Sequence, residues 1–143
     1  MRTEKLLRAG IAFLTATQFG VGCWALFLPR SFFDVPWVGM HMPYNAHLMM
    51  DYGAMSLATS VVLGVAVLTT ERLVVRTALV TYLMFAVPHL VIHLRLSHHL
   101  APADRARLLI ALTTAVLIPL ALLLLSTRPQ PFTHGQERST GGR

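Results

Sequence analysis

The chain has 143 residues, of which 55% are hydrophobic and 13% charged, against about 25% charged in an ordinary soluble domain. With a mean hydropathy of +0.59 and several long uncharged runs, it reads as one membrane domain rather than a soluble one. The net charge of +6 does not signal nucleic acid: basic residues cluster at the ends of apolar runs, and no zinc-finger spacing or aromatic-rich basic surface accompanies them. Anionic lipid is the partner such flanks suit. The single cysteine, Cys23, excludes an intrachain disulfide and gives no support to thiol redox chemistry.

Arg2, Lys5 and Arg8 precede the first apolar run. That run is longer than the core of a signal peptide and lacks a clear small-x-small cleavage site, so a retained anchor is expected. Four segments, roughly 6–28, 47–70, 73–96 and 108–125, are each long enough to cross about 30 Å of hydrocarbon at about 1.5 Å per residue. None alternates with the period of two that a membrane barrel strand requires. The expected fold class is therefore all-α, a polytopic four-helix bundle over 1–126, with a polar, disordered cytoplasmic tail over 127–143.

The connection 29–46 contains Pro36 and Pro43, which argue against one continuous helix. Its Phe32, Phe33 and Trp37 suit the lipid–water boundary. Glu71-Arg72 makes a tight link, and Pro102 with Asp104 marks a helix start after the connection 97–107. On the second span Ser56, Ser60 and Gly64 form a stripe of small residues that permits close helix approach. Thr15, Gln18 and Gly22 share a face of the first span. Pro88 and Pro119 lie inside the third and fourth, and the Leu-rich fourth is expected to meet lipid most.

With the N-terminus cytoplasmic, the inner basic set is Arg2, Lys5, Arg8, Arg72, Arg76, Arg128, Arg138 and Arg143, and the outer set is Arg30, Arg95, Arg105 and Arg107. This bias favours a multi-pass cell-membrane protein with both termini inside. It also puts two polar passages on the same outer side. The first carries His47 and Asp51, the second His89 and His93, and each pair shares a helix face at a spacing of four. Counting about 20 residues back from Thr70 and forward from Leu73 places the outer boundary near Met50 and near Ile92. The two pairs therefore match in depth.

An ionisable group within a span usually marks a function or a specific partner. Three imidazoles and a carboxylate from antiparallel helices suit a transition metal, with His47, Asp51, His89 and His93 as the ligand set. Asp51 is alternatively a support for a ligating histidine, and Tyr44, Asn45 and Tyr82 are candidate hydrogen-bonding partners. Met40, Met42, Met49, Met50 and Met55, near His41 and His47, add a copper(I) variant. A noncovalent haem between facing imidazoles is a further option. So are a proton relay and a membrane enzyme or transporter for a lipid-soluble substrate. Against these stands a structural reading, in which the pairs cap, orient and pack helices near the interface. That reading makes the chain an accessory subunit for a membrane-protein partner or a homo-oligomer. His89-x-x-x-His93 with His98-His99 only partly resembles the boxes of membrane desaturases, which carry three clusters where this chain has one.

The motifs Tyr44-Asn45-x-His47-x-x-x-Asp51-x-Gly53 and Val87-Pro88-His89-x-x-x-His93 resemble those of small actinobacterial four-helix integral membrane proteins, distantly DoxX-like. The likeness covers roughly 30–93. It implies a four-helix membrane fold and carries no activity.

Overall fold

The structure, a computed structural model, describes residues 2–127. Among these every regular element is helical: α1 (Arg2–Phe27), α2 (Pro29–Phe33), α3 (Pro36–Gly39), α4 (Ala46–Thr69), α5 (Arg72–Leu96) and α6 (Pro102–Thr127), with a 3-10 turn over Ser97–His99. Four of them, α1, α4, α5 and α6, are long and apolar enough to cross a membrane. The polar tail expected after the last span lies outside the described residues, except that Thr127 closes α6.

Local chemistry explains most helix ends. Asn45 is the N-cap of α4, its Oδ1 accepting from the Leu48 amide at 3.2 Å, which satisfies one of the orphan donors of the first turn. Thr70 ends α4 in the left-handed region, φ 52°, with its amide donating to Ala66 O. Pro102 opens α6 at its first position, where a missing amide hydrogen removes nothing. That start falls six residues before the one expected from hydropathy alone, because Asp104 and Arg107 pair with each other at 3.0 Å on its first turns and are tolerated at the boundary. Pro29 and Pro36 each start a short helix in the α1–α4 connection. Pro88 and Pro119 sit inside helices that run on past them.

The bundle is held chiefly by the packing of α1 on α4 and of α5 on α6. The first contact is a backbone approach. A Cβ added at Gly53 would stand 2.5 Å from Leu26 N and 2.9 Å from Gly22 O, and one at Gly22 would stand 2.9 Å from Leu57 N. Such contacts are the membrane form of close packing, in which dispersion rather than water exclusion drives association. The stripe expected on this helix is there, Ser56 and Ser60 being buried at 1% and 4% exposure, but its tightest point is Gly53. Several hydroxyls within the spans bond to their own helix: Thr15 Oγ1 donates to Ile11 O, Thr59 to Met55 O and Ser60 to Leu57 O. This satisfies them where no water is at hand.

The core lies toward the end of the bundle that holds the N-terminus, built from Ile11, Leu14, Leu63, Ala66, Val75, Leu79, Tyr82 and Leu122 among others. At that end the Arg76 guanidinium donates to Ser126 O at 2.9 Å, placing a cation on the last carbonyls of α6. The most apolar span is the least enclosed, with 11% of its window buried against 22–28% for the other three. α6 is thus the helix most open to lipid. At the opposite end, α2 packs on α1 and α4 while α3 packs on α6. Trp37 and Met40 seat there against Leu100, Leu108 and Leu112. The α1–α4 connection is therefore a cap that crosses the bundle.

Gly53→Ala should destabilise the protein by about 1–3 kcal/mol, because the added methyl meets backbone rather than a yielding side chain. Gly20→Ala, with nothing within 4 Å of the new Cβ, should leave stability unchanged or slightly raised. Thermal unfolding of both variants in detergent checks the pair.

Candidate functional site

Asp51 and Tyr52 are adjacent, so their side chains leave α4 about 100° apart. With Gly53 turned onto α1, Asp51 and His47 fall on the far side of α4. There they pair with each other, His47 Nδ1 to Asp51 Oδ2 at 3.2 Å, with side chains 85% and 65% exposed. At this level the side chain of α4 that meets α5 is Tyr52. Its ring stacks on His89 at 5.9 Å between centroids and 21°. The two polar passages do lie at one level, as depth counting expects, but different side chains meet there.

His89 and His93 are half-buried neighbours on α5, rings edge-on at 4.5 Å. Phe85, one turn earlier, stacks on His89 at 4.8 Å. On the other side Tyr52 stacks on Phe32 of α2 at 5.8 Å, and Phe32 meets Trp24 of α1 edge-on at 5.3 Å. Trp24 Nε1–H in turn donates to Ser31 Oγ at 3.2 Å. The result is a layer of rings from α1 through α2 and α4 to α5, each pair worth about 0.5–1.5 kcal/mol beyond its burial.

The chain of contacts ends on Met40. Its Sδ accepts from His93 Nδ1–H at 3.0 Å, and its carbonyl accepts from His99 Nε2–H at 2.9 Å. The second bond sets the Nε2-protonated form of His99. His98, next along, instead donates from Nδ1 to Arg95 O within its own turn. Met40 is 3% exposed.

The residues expected to form one metal or haem site are thus divided. Among the described residues no three His, Cys, Asp or Glu side chains converge as a metal ion would need. His47 with Asp51 and His89 with His93 remain two pairs. The candidate partners are also occupied elsewhere. Asn45 caps α4. Tyr44 meets Phe33 edge-on at 5.2 Å and lies under the Arg30 guanidinium at 4.8 Å. Tyr82 is buried in the core near the N-terminal end, about 10 Å below His89 along the helix. Of the five clustered methionines, Met40 reaches an imidazole, His93, whereas Met42 and Met50 are exposed. Tyr52 and Phe85 were not singled out by sequence, and His99 entered only as part of the desaturase-like histidine cluster. The series Phe85-x-x-x-His89-x-x-x-His93 held the signal for Phe85, a ring one turn below each imidazole.

No protein-family model, curated protein or solved structure matches the chain.

The two pairs should respond differently to truncation. His47→Ala and Asp51→Ala remove an exposed pair and should shift stability by no more than about 0.5 kcal/mol. His89→Ala removes a ring packed on Tyr52, Phe85 and His93, and should destabilise by about 1–3 kcal/mol. Equilibrium unfolding in detergent or bicelles reads both.

Proposed function

We propose that the protein is a structural or accessory subunit of the cell membrane, with both termini cytoplasmic, that holds a rigid helical cap on the outer face. The observation that carries this reading is the double attachment of the cap at Met40, through His93 to its sulfur and His99 to its carbonyl. A segment joining two neighbouring spans has no need of anchors on a third unless its shape matters. The cap is the surface that a membrane-protein partner or a second copy would meet. Several polar groups near the cap are engaged in packing: Asn45 as a helix cap, His89 in the ring layer, His93 and His99 on Met40. The apolar recess lined by Val80, Leu83, Met84, Val87 and Pro88 has no titratable group in its wall. It therefore lends nothing to an enzyme acting beside Asp51.

Orientation rests on the basic residues. Lys5, Arg8, Arg72 and Arg76 flank the end of the bundle that holds the N-terminus, joined in the sequence by the arginines of the tail, and the positive side faces the cytoplasm. The resemblance of residues 30–93 to four-helix DoxX-like membrane proteins agrees with this reading and adds no activity.

Single cysteines placed at His41 and at Ala101, in a chain with Cys23 replaced by alanine, should react with an impermeant thiol reagent in intact cells. A cysteine at Glu71 should react only after permeabilisation. The reverse pattern inverts the topology. For the cap, His99→Ala should speed amide hydrogen exchange over residues 37–42 about fivefold or more, the worth of one net hydrogen bond, and leave the core of α1 and α4 unchanged. Unaltered exchange in the cap rejects the anchoring role.

A further inference from the structure

Met40 and His41 are consecutive non-glycine residues with positive φ, 51° and 55°. For L-residues this conformation costs on the order of 1–2 kcal/mol each. The strained turn delivers a buried thioether to an imidazole: Sδ lies 3.0 Å from His93 Nδ1, and the His89 ring stands edge-on to His93. From this arrangement we infer that Met40, His93 and His89 form a binding site for a soft monovalent metal ion, copper(I), beneath the outer cap.

Three physical features select that ion. The donors are a thioether and imidazoles, the neutral soft ligands that suit copper(I). Zinc and iron(II) take four or more nitrogen, oxygen or thiolate ligands, and no three His, Cys, Asp or Glu side chains converge among the described residues. Charge decides in the same direction. The histidines lie within a span and the sulfur is buried, and the solvation penalty of a buried ion grows with the square of its charge, so a monovalent ion incurs about a quarter of the penalty of a divalent one.

The unloaded contact also leads simply to the loaded one. His93 Nδ1–H now donates to the sulfur. Transfer of that hydrogen to Nε2, the other neutral tautomer, frees the Nδ1 lone pair for the ion without net release of a proton. The N···S pair must open by about 1 Å to admit bonds of roughly 2.0–2.3 Å, which the flexible methionine side chain permits. The depth of the site, one turn from the outer boundary, gives an ion arriving from the outer face a short path past the cap. Loading replaces the His93–sulfur hydrogen bond, one of the two cap attachments, with the ion itself, while His99, outside the ligand set, still holds the Met40 carbonyl.

The test uses the full chain purified in detergent, titrated with copper(I) under ascorbate and, separately, with silver(I) as a redox-inert probe. One ion per chain should survive desalting, and X-ray absorption at the copper edge should show sulfur and nitrogen neighbours together. Met40→Leu keeps the apolar volume of the cap and its backbone bond to His99, and should weaken retention at least tenfold while circular dichroism shows the helices still folded. Met50→Leu, at an exposed position, should bind as the parent does. The inference is overturned if the folded parent retains neither ion, if sulfur is missing from the copper shell, if Met40→Leu binds equally well, or if zinc is held as tightly as copper.

Discussion

The rotation of α4 about its own axis governs everything at the end of the bundle that carries the α1–α4 connection, and it is set by the backbone approach of Gly53 to Gly22 and Leu26. Two helices that touch through glycine cannot rotate without separating, and in a bilayer separation forfeits the dispersion contacts that hold them. With Gly53 on α1, the next positions around the helix follow by geometry. Tyr52 turns toward α5, and Asp51 and His47 turn out of the bundle. A single close contact thereby removes one polar pair from the interior and puts an aromatic ring in its place.

The other polar pair stays inside because the cap needs it. Helices α2 and α3 cross from the α1/α4 side to α6. Phe32 ties its first half into the ring layer, while His93 and His99 tie its second half at Met40. The left-handed backbone at Met40 and His41 is the strain such an attachment requires. It is sustained by a buried apolar seat on Leu100 and Leu108. Cap and bundle are therefore one mechanical unit at that end, and the imidazoles of α5 are part of its fastening.

Most of the architecture was legible from residues 6–125 read as hydrophobic length. The four spans, the tight link after α4, the interruption of the connection by Pro36 and the early acid of α6 each follow from local rules. The small-residue stripe on α4 was legible too, though Gly53 at its tightest point was read as part of a polar motif. The matched depth of the two polar passages could be counted correctly, since rise per residue is a constant of the helix. What counting could not supply was which face met which. Residues 51 and 52 share a depth and differ by about 100° in direction, and that angle separated a four-ligand centre from a ring stack.

Length, hydropathy and the placement of prolines by themselves determined an all-α bundle of four membrane-length helices, because in lipid a backbone must satisfy its own hydrogen bonds and a helix is the local way to do so. The tertiary structure alone decided the rotation of α4, the crossing of the cap onto α6 and the meeting of Met40 with His93 and His99. Each of these depends on contacts between residues far apart in the chain, Gly22 with Gly53 and Met40 with the end of α5. No periodicity within a single helix encodes the direction in which its neighbour will stand.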